Sequence, residues 1–314
     1  MMNLKRNRLI DIADRSAPTL VQKSQMDGEL VASRVVDGQL RLVLSNSLHL
    51  PPPIALPIEG EIDESPEAIY HNPMRLAPID GSIAVTTIDS FFWYPTTTQH
   101  YRYETQDEYL ARVKDELLKS AMPGVRILGL DGEVKAERPL VDVSDILRPE
   151  SLRDKHLTTV ATFDLSGNEA GPIDATAVLT ESPVQVYASV DSLYLFSEHW
   201  RPGSTYHVGP RTSIYKFDFD AETHAVTLAA RGEVVGTLLN QFAADEFEGH
   251  LRVVTSNSAQ SVFVLKQVGN RLEIVGSVDG IAPNEQIYSV RFMGERAFLV
   301  TFRMVDPLFA LDLS

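Results

Sequence analysis

An acidic cluster in the middle of the chain offers the oxygen ligands that calcium prefers. Asp218, Asp220 and Glu222 occupy alternate positions, and His224 follows them. The spacing lacks the glycine and the distal glutamate of an EF-hand loop. Aspartate side chains also close turns by accepting hydrogen bonds from the backbone. We therefore interpret the cluster as a turn between two strands, with a Ca²⁺ site at Asp218, Asp220 and Glu222 as the alternative; no other cofactor is predicted.

A second group of candidates lies near the C-terminal end of the chain, where arginines alternate with apolar residues. These candidates are Arg291, Arg296, Arg303 and Asp306. Because a guanidinium and a carboxylate can pair through two parallel hydrogen bonds, a buried arginine–aspartate pair between neighbouring sheets is one interpretation. The alternative is a binding site near the axis of the fold that uses Arg291, Arg303 and Asp306.

Patterns typical of catalysis are missing from the sequence. There is no Gly-x-Ser-x-Gly elbow, no P-loop and no His-Glu-x-x-His pair, and the chain has no cysteine. His199 and His207 flank Trp200, and we interpret them as part of a solvated loop rather than as a metal pair. The sequence therefore predicts no catalytic residue.

Charge and hydropathy exclude two classes of partner. The 314 residues carry 28 Lys+Arg and 43 Asp+Glu, a formal net charge of −15. A nucleic-acid partner is not expected, because its binding requires clustered cations. No stretch approaches the roughly 20 apolar residues of a membrane span. Lys5, Arg6 and Arg8 are not followed by the apolar run of a signal peptide, so we expect no export signal in this chain.

A repeat with a period of about fifty residues organises the chain. Its marker is an aspartate between two apolar residues at the end of a strand, found at Asp11, Asp164, Asp218 and Asp312. One complete unit shows four alternating apolar segments, at 185–189, 193–197, 213–219 and 225–235. Four antiparallel strands in each unit predict an all-β fold built from β-propeller blades, with a β-sandwich as the alternative. The marker aspartates are expected to close turns rather than to line a channel.

Residues 46–157 interrupt one unit between its second and third strands. A structureless loop of this size is uncommon, so the insertion should carry structure of its own. Thr105 and Glu108 have the spacing of a capping box and predict a helix near 105–122, which ends at Pro123-Gly124. The aromatic run at 91–95 is interpreted as the insertion's own core, with a partner-binding or sugar-binding patch as the alternative.

Residues 287–309, Ile-Tyr-Ser-Val-Arg-Phe-Met-Gly-Glu-Arg-Ala-Phe-Leu-Val-Thr-Phe-Arg-Met-Val-Asp-Pro-Leu-Phe, resemble a signature of prokaryotic secreted proteins with a C-terminal β-propeller domain. Leu-Leu-Asn-Gln-Phe at 238–242, Leu-Arg-Val-Val-Thr at 251–255 and Val-Tyr-Ala-Ser at 186–189 fit the same family. The resemblance runs from about residue 9 to residue 314. It implies an extracellular or envelope location for the full-length protein, and it supplies no catalytic residues.

Members of that family normally have an export signal and further blades after the segment that corresponds to 306–309. We therefore interpret residues 1–314 as about four blades of a longer propeller, forming a partial ring. The alternative is a small closed ring in which 19–24 pairs with 307–313.

The function predicted from these observations is that of a non-enzymatic domain in a secreted or envelope-associated protein. Its role would be a scaffold or a binding surface, and its partner a protein or a glycan. The alternative is a polysaccharide- or peptide-active enzyme whose acid and base are carboxylates supplied by loops distant in sequence.

Overall fold

The computed structural model describes residues 4–11, 14–47, 51–63, 78–79, 82–85, 98–148, 156–166, 170–200, 209–302 and 308–314. The aromatic run at 91–95 and three candidates, His207, Arg303 and Asp306, lie outside these ranges. The chain forms two compact units. One contains Met1–Leu48 and Ala121–Ser314, and the other contains His49–Ser120.

The described elements are almost all strands. In chain order they are β1 (Leu4–Asp11), β2 (Thr19–Asp27), β3 (Glu29–Val36), β4 (Gln39–Ser47), β5 (Ala55–Asp63), β6 (Pro78–Ile79), β7 (Ser82–Val85), β8 (Thr98–Tyr103), helix α1 (Gln106–Ala121), β9 (Gly124–Leu128), β10 (Val134–Pro139), β11 (His156–Asp164), β12 (Asp174–Thr180), β13 (Pro183–Ala188), β14 (Ser192–His199), β15 (Arg211–Phe219), β16 (Val226–Val235), β17 (Thr237–Leu238), β18 (Ala244–Phe247), β19 (His250–Ser256), β20 (Gln260–Val268), β21 (Arg271–Ile281), β22 (Ile287–Met293), β23 (Arg296–Thr301) and β24 (Leu308–Asp312). Two short 3₁₀ helices cover Val143–Asp145 and Gln241–Ala243. The all-β prediction is confirmed.

In the first unit the described strands form antiparallel arrays of the kind predicted for blades. The orders are β1-β2-β9-β10, β3-β4-β11-β12, β13-β14-β15-β16 and β22-β23-β24. A further array runs β17-β19-β20-β21, with β18 also paired to β19. It joins β13–β16 through one parallel pairing, between Arg231 of β16 and Arg271 of β21.

Alternation along single strands explains why these arrays pack against each other. Successive side chains of a strand point to opposite faces. In β14, Leu193 and Leu195 enter one buried cluster, whereas Tyr194 and Phe196 enter another. A strand buried on both faces reads as a continuous apolar run, which is what 193–196 shows. The array that contains β14 is therefore stabilised by packing on both of its faces.

The segment between β4 and β11 is divided between the two units. β4 and β11 pair antiparallel, in register from His156 opposite Ser47 to Asp164 opposite Gln39. Of the strands between them, β9 and β10 extend the array of β1 and β2 in the first unit. The small closed ring required 19–24 to pair with the C-terminal strand. That pairing is not found, because β2 lies between β1 and β9 and β24 pairs with β23.

The second unit contains the sheet β5-β8-β7-β6 and helix α1. The predicted capping box is confirmed. The Glu108 amide donates to Thr105 Oγ1 over 3.3 Å, and the Thr105 amide donates to Glu108 Oε2 over 2.8 Å. The Tyr109 hydroxyl fixes the helix to the preceding segment by donating to the Pro51 carbonyl over 2.8 Å.

The ion pair at the start of α1 predicts a specific acid sensitivity. Both terminal nitrogens of Arg102 donate to the Glu108 carboxylate over 2.7 Å. This contact, together with the Thr105 amide, lowers the pKa of Glu108 from 4.5 to about 2. A depressed pKa stabilises the folded state above the unfolded value and loses that effect as the pH falls through the folded value. The melting temperature of the natural chain should therefore exceed that of Glu108→Gln above pH 4.5, and the difference should vanish by about pH 2.

Circular dichroism melts across this pH range measure that difference, and Arg102→Gln is the control because it removes the partner. In an Arg102→Gln background, Glu108→Gln should have a much smaller pH-dependent effect. An undiminished effect there would contradict the assignment to this ion pair.

Close approach of β16 and β21 predicts a position that tolerates only glycine. A Cβ atom at Gly232 would lie 2.8 Å from Leu272 Cβ and 2.9 Å from the Leu272 carbonyl oxygen. Gly232→Ala should therefore lower the free energy of unfolding by about 1–3 kcal/mol. Gly276→Ala in β21 is the matched control, because its Cβ would find only Val264 Cβ, at 3.9 Å. Urea titrations measure the free energy of unfolding of both variants. Equal values would show that β16 and β21 can move apart to accommodate a methyl group, which would contradict the prediction.

Candidate functional site

A cavity of about 280 Å³ opens where edge strands of successive arrays meet in the first unit. Its wall contains Arg34 of β3, Tyr187 of β13, Asp245 of β18 and Arg291 of β22. Residues 241–242 of the 3₁₀ helix complete it. The cavity is thus formed by side chains that are far apart in sequence.

The 3₁₀ helix owes its position to a side-chain cap. The Asn240 side chain accepts a hydrogen bond from the Phe242 amide over 2.9 Å, which is the usual role of asparagine before a helix. The cap directs the chain so that Phe242 lines the cavity while remaining 49% exposed. A half-exposed phenylalanine in a concave wall offers an apolar contact to a ligand.

Arg34 holds two parts of the wall together. Its guanidinium donates to the Val186 carbonyl over 2.6 Å and also to Gln241 Oε1. A third hydrogen bond, of 2.8 Å, goes to the carbonyl of its neighbour Ser33. Partial burial lowers the pKa of Arg34, yet an arginine remains protonated at any physiological pH. Arg34 therefore carries a positive charge into the cavity.

Arg291 of β22 contributes a second guanidinium to the wall of the cavity. Its guanidinium carbon is 4.2 Å from the centre of the Phe242 ring, and it donates to the Val290 carbonyl over 2.8 Å. Among the residues that the structure describes, no carboxylate lies within ion-pair distance of Arg34 or Arg291. The cavity therefore contains two cations without anionic partners.

Asp245 contributes a carboxylate to the same wall, but its charge is balanced. Arg252, only 3% exposed, donates to Asp245 Oδ2 through two nitrogens, Nε at 3.1 Å and a terminal nitrogen. The same guanidinium donates to the Gly294 carbonyl over 2.6 Å and contacts the rings of Phe247 and Phe292. Arg252 therefore ties β18 and β19 to the turn between β22 and β23.

Tyr187 in the cavity wall also has a hydrogen-bond partner within the protein. Its hydroxyl accepts a hydrogen bond from the Glu246 amide over 3.0 Å, and burial raises the pKa of Tyr187. It forms a wall of the cavity and stays neutral at physiological pH.

The buried arginine–aspartate pair predicted near the C-terminal end depends on Asp306, which lies outside the described residues, so that pair stays a prediction. Arg291 is exposed in the cavity, and Arg296 is exposed at the start of β23, opposite Asp312. Among the described residues, Arg252 is an enclosed arginine that does pair with an aspartate, the partly buried Asp245. Arg303 and Asp306 lie outside the described residues, so the site proposed for them with Arg291 stays a prediction. Gln241, Phe242 and Arg252 belong to the sequence motifs described above, but the motifs assigned them no role. No sequence pattern pointed to Arg34.

The acidic cluster at 218–224 forms a turn. Asp220 Oδ1 accepts from the Glu222 amide over 3.0 Å and from the Thr223 amide over 2.7 Å. These bonds, led by the Thr223 amide, lower the pKa of Asp220. Asp218 instead contacts the ammonium of Lys216 at 3.1 Å and the Ser192 hydroxyl at 3.2 Å. In the described part of the chain, no three His, Asp or Glu side chains are grouped as metal ligands.

The marker aspartates behave in two ways. Asp164 and Asp312 accept hydrogen bonds from the backbone two residues ahead, at Ser166 and Ser314, as expected of turn residues. In the other two repeats the accepting residue is Asp14, bonded to the Ser16 amide, or Asp220. The expectation for Asp218 is therefore wrong by two positions, whereas the expectation for Asp11 stays a prediction.

A serine–histidine–glutamate chain crosses β14, β15 and β16. Ser213 Oγ lies 3.3 Å from His199 Nδ1, and His199 Nε2 lies 3.1 Å from Glu233 Oε2. A hydroxyl, an imidazole and a carboxylate that are hydrogen-bonded one to the next perform nucleophilic catalysis when the hydroxyl can reach a substrate. Ser213 is only 6% exposed, and Glu233 is already paired with Arg211 at 2.6 Å. The arrangement satisfies buried polar groups between strands. His207 lies outside the described residues.

The family model of the beta propeller domain matches residues 2–314 of the sequence. The chain belongs to this β-propeller domain family. The antiparallel arrays of the first unit are accordingly propeller blades.

Curated relatives resemble the propeller domain over part of its length. An uncharacterised protein of Archaeoglobus fulgidus is 42% identical over 106 residues, which are 33% of this chain and 16% of that protein. An uncharacterised protein of Methanocaldococcus jannaschii is 40% identical over 91 residues, 26% of this chain and 14% of that protein. The matched segments thus cover about one sixth or less of each relative. In the described part of the propeller domain, no helix is long and apolar enough to cross a membrane.

The contacts of Arg252 predict that this side chain stabilises the propeller domain. Arg252→Met removes an enclosed guanidinium together with its hydrogen bonds to Asp245 and to the Gly294 carbonyl, which should cost about 2–3 kcal/mol of unfolding free energy. Arg126→Met is the control, because Arg126 pairs with Glu137 on the surface and should cost about 1 kcal/mol or less. Urea unfolding measures both. Equal losses would contradict the role given to Arg252.

Proposed function

We propose that this β-propeller domain is a non-enzymatic binding module of a secreted or envelope-associated protein, and that its cavity receives a protein or glycan partner. The observation that carries the proposal is the pair of arginines, Arg34 and Arg291, beside the half-exposed ring of Phe242. The secreted or envelope location rests on the family resemblance of residues 287–309.

The net charge of the chain makes two uncompensated arginines informative. With 43 acidic and 28 basic side chains, carboxylates greatly outnumber cations. Arginines in such a chain readily find a partner, as Arg252 does with Asp245 and Arg211 does with Glu233. Two arginines in one concavity whose described carboxylate, Asp245, is already paired with Arg252 are therefore typical of a site that keeps their donors available for a ligand.

The enzyme alternative is less well supported by the same cavity. A glycosidase needs two carboxyl groups about 5–9 Å apart that flank the bond to be broken. Asp245 is the single carboxylate in the described lining, and Arg252 holds it in an ion pair. A carboxylate paired in this way is a poor general acid or base, since the cation stabilises its ionised form.

A binding module and an enzyme can be distinguished by incubating the chain with pools of candidate ligands for a short and for a long time. Native mass spectrometry would screen the chain against short peptides and neutral and acidic oligosaccharides, and a long incubation would show whether any bound compound changes mass. A binding module retains its ligand unchanged. Arg291→Gln should weaken that complex about tenfold or more, the usual loss for a charge-assisted hydrogen bond.

Arg296→Gln is the matched control, because it removes an exposed arginine from the neighbouring strand β23 that does not line the cavity. This variant should bind as the natural chain does. A product that accumulates in proportion to the protein concentration would overturn the non-enzymatic assignment. Equal losses of affinity in Arg291→Gln and Arg296→Gln would overturn the assignment of binding to the cavity.

A further inference from the structure

We infer that the cavity binds a single carboxylate attached to an apolar group, presented by a peptide. This inference rests on the proposed function and names the ligand class of the same site. The carboxylate would lie between Arg34 and Arg291, and its apolar neighbour would contact Phe242. The chemistry is shared by a free C-terminal carboxylate and by an acidic side chain next to an apolar residue.

The free hydrogen-bond donors of the two arginines point to an anion. A guanidinium has five N–H donors. In the described part of the chain, hydrogen bonds take up three donors of Arg34 and one of Arg291. The bonds of Arg34 to Val186 and Gln241 also fix the orientation of its guanidinium. A carboxylate can accept from two such groups at once, so the remaining donors suit a planar anion.

The balance of charge at the cavity limits the ligand to few negative charges. Within the described lining, Asp245 is compensated by Arg252, so Arg34 and Arg291 leave a local excess of two positive charges. The chain as a whole carries −15, which repels a long polyanion before it reaches the site. A ligand with one carboxylate gains the local attraction with the smallest long-range penalty.

The remaining wall favours a peptide over a sugar acid. A uronic acid presents a hydroxyl group on most of its ring carbons, and each buried hydroxyl without a partner costs free energy. The acceptor oxygens of two lining residues are already engaged, because Tyr187 accepts from the Glu246 amide and Gln241 accepts from Arg34. Phe242 and Phe292 provide apolar surface instead. An apolar side chain buries that surface without leaving polar groups unpaired.

Three N-acetylated tetrapeptides without a label test the inference by isothermal titration calorimetry with the natural chain. The first ends in leucine with a free carboxylate, the second is its C-terminal amide, and the third is amidated with a glutamate before the leucine. The first or third peptide should bind at least about tenfold more tightly than the neutral amide. Arg291→Gln should remove that advantage, whereas Arg296→Gln should retain it. Preference for the first peptide would identify a C-terminal carboxylate as the group bound, and preference for the third would identify the carboxylate of an acidic side chain.

Failure of the inference can be told apart from failure of the proposed function. Equal affinity for all three peptides, or no binding by any of them, overturns the carboxylate assignment. Arg291-dependent binding of a uronic acid oligosaccharide in place of the peptides also overturns it, while the cavity remains a binding site.

Discussion

The buried guanidinium of Arg252 is the contact on which the cavity depends. It bonds Asp245 of β18 and the Gly294 carbonyl beyond β22, and it lies against Phe247 and Phe292. Removing an arginine from water is costly, and the cost is offset only when its donors and its charge find partners. Because Gly294 and Phe292 belong to the next blade, the contacts of this guanidinium also link the two blades. The contacts with Arg252 also hold Asp245 and Phe292 in place as residues of the cavity wall.

Packing on both faces of the blade that contains β14 extends this dependence beyond the cavity. Leu193 and Tyr194 are neighbours in sequence but belong to different buried clusters. A blade that loses its neighbour would expose an entire apolar face, so the blades stabilise each other in series. The edge strands are the places where this packing stops. Their backbone groups need partners other than a strand, and Arg34 supplies one to the Val186 carbonyl.

Local patterns predicted the strands of one blade within a few residues, and Thr105 and Glu108 predicted the start of α1. These features depend on neighbouring residues, which the sequence displays directly. The pairing of β9 with β2 could not be predicted, because contacts between distant segments leave no local period. Arg34 was missed for the same reason, since its partners lie on β13 and beside Phe242. In the acidic turn, Asp218 and Asp220 have the same residue type, and only the backbone geometry shows which one accepts.

Arg252 and Arg291 look alike in sequence, since each interrupts an alternating apolar strand. Their different roles follow from the position of the strand in its blade. β19 has strands on both sides, so an arginine there is enclosed and must be neutralised by a carboxylate. β22 is an edge strand, so Arg291 can stay hydrated and keep its donors available. An arginine on a central strand thus holds blades together, whereas one on an edge strand is free to meet a ligand. The cavity combines both, because the enclosed pair positions the wall that the accessible arginine shares.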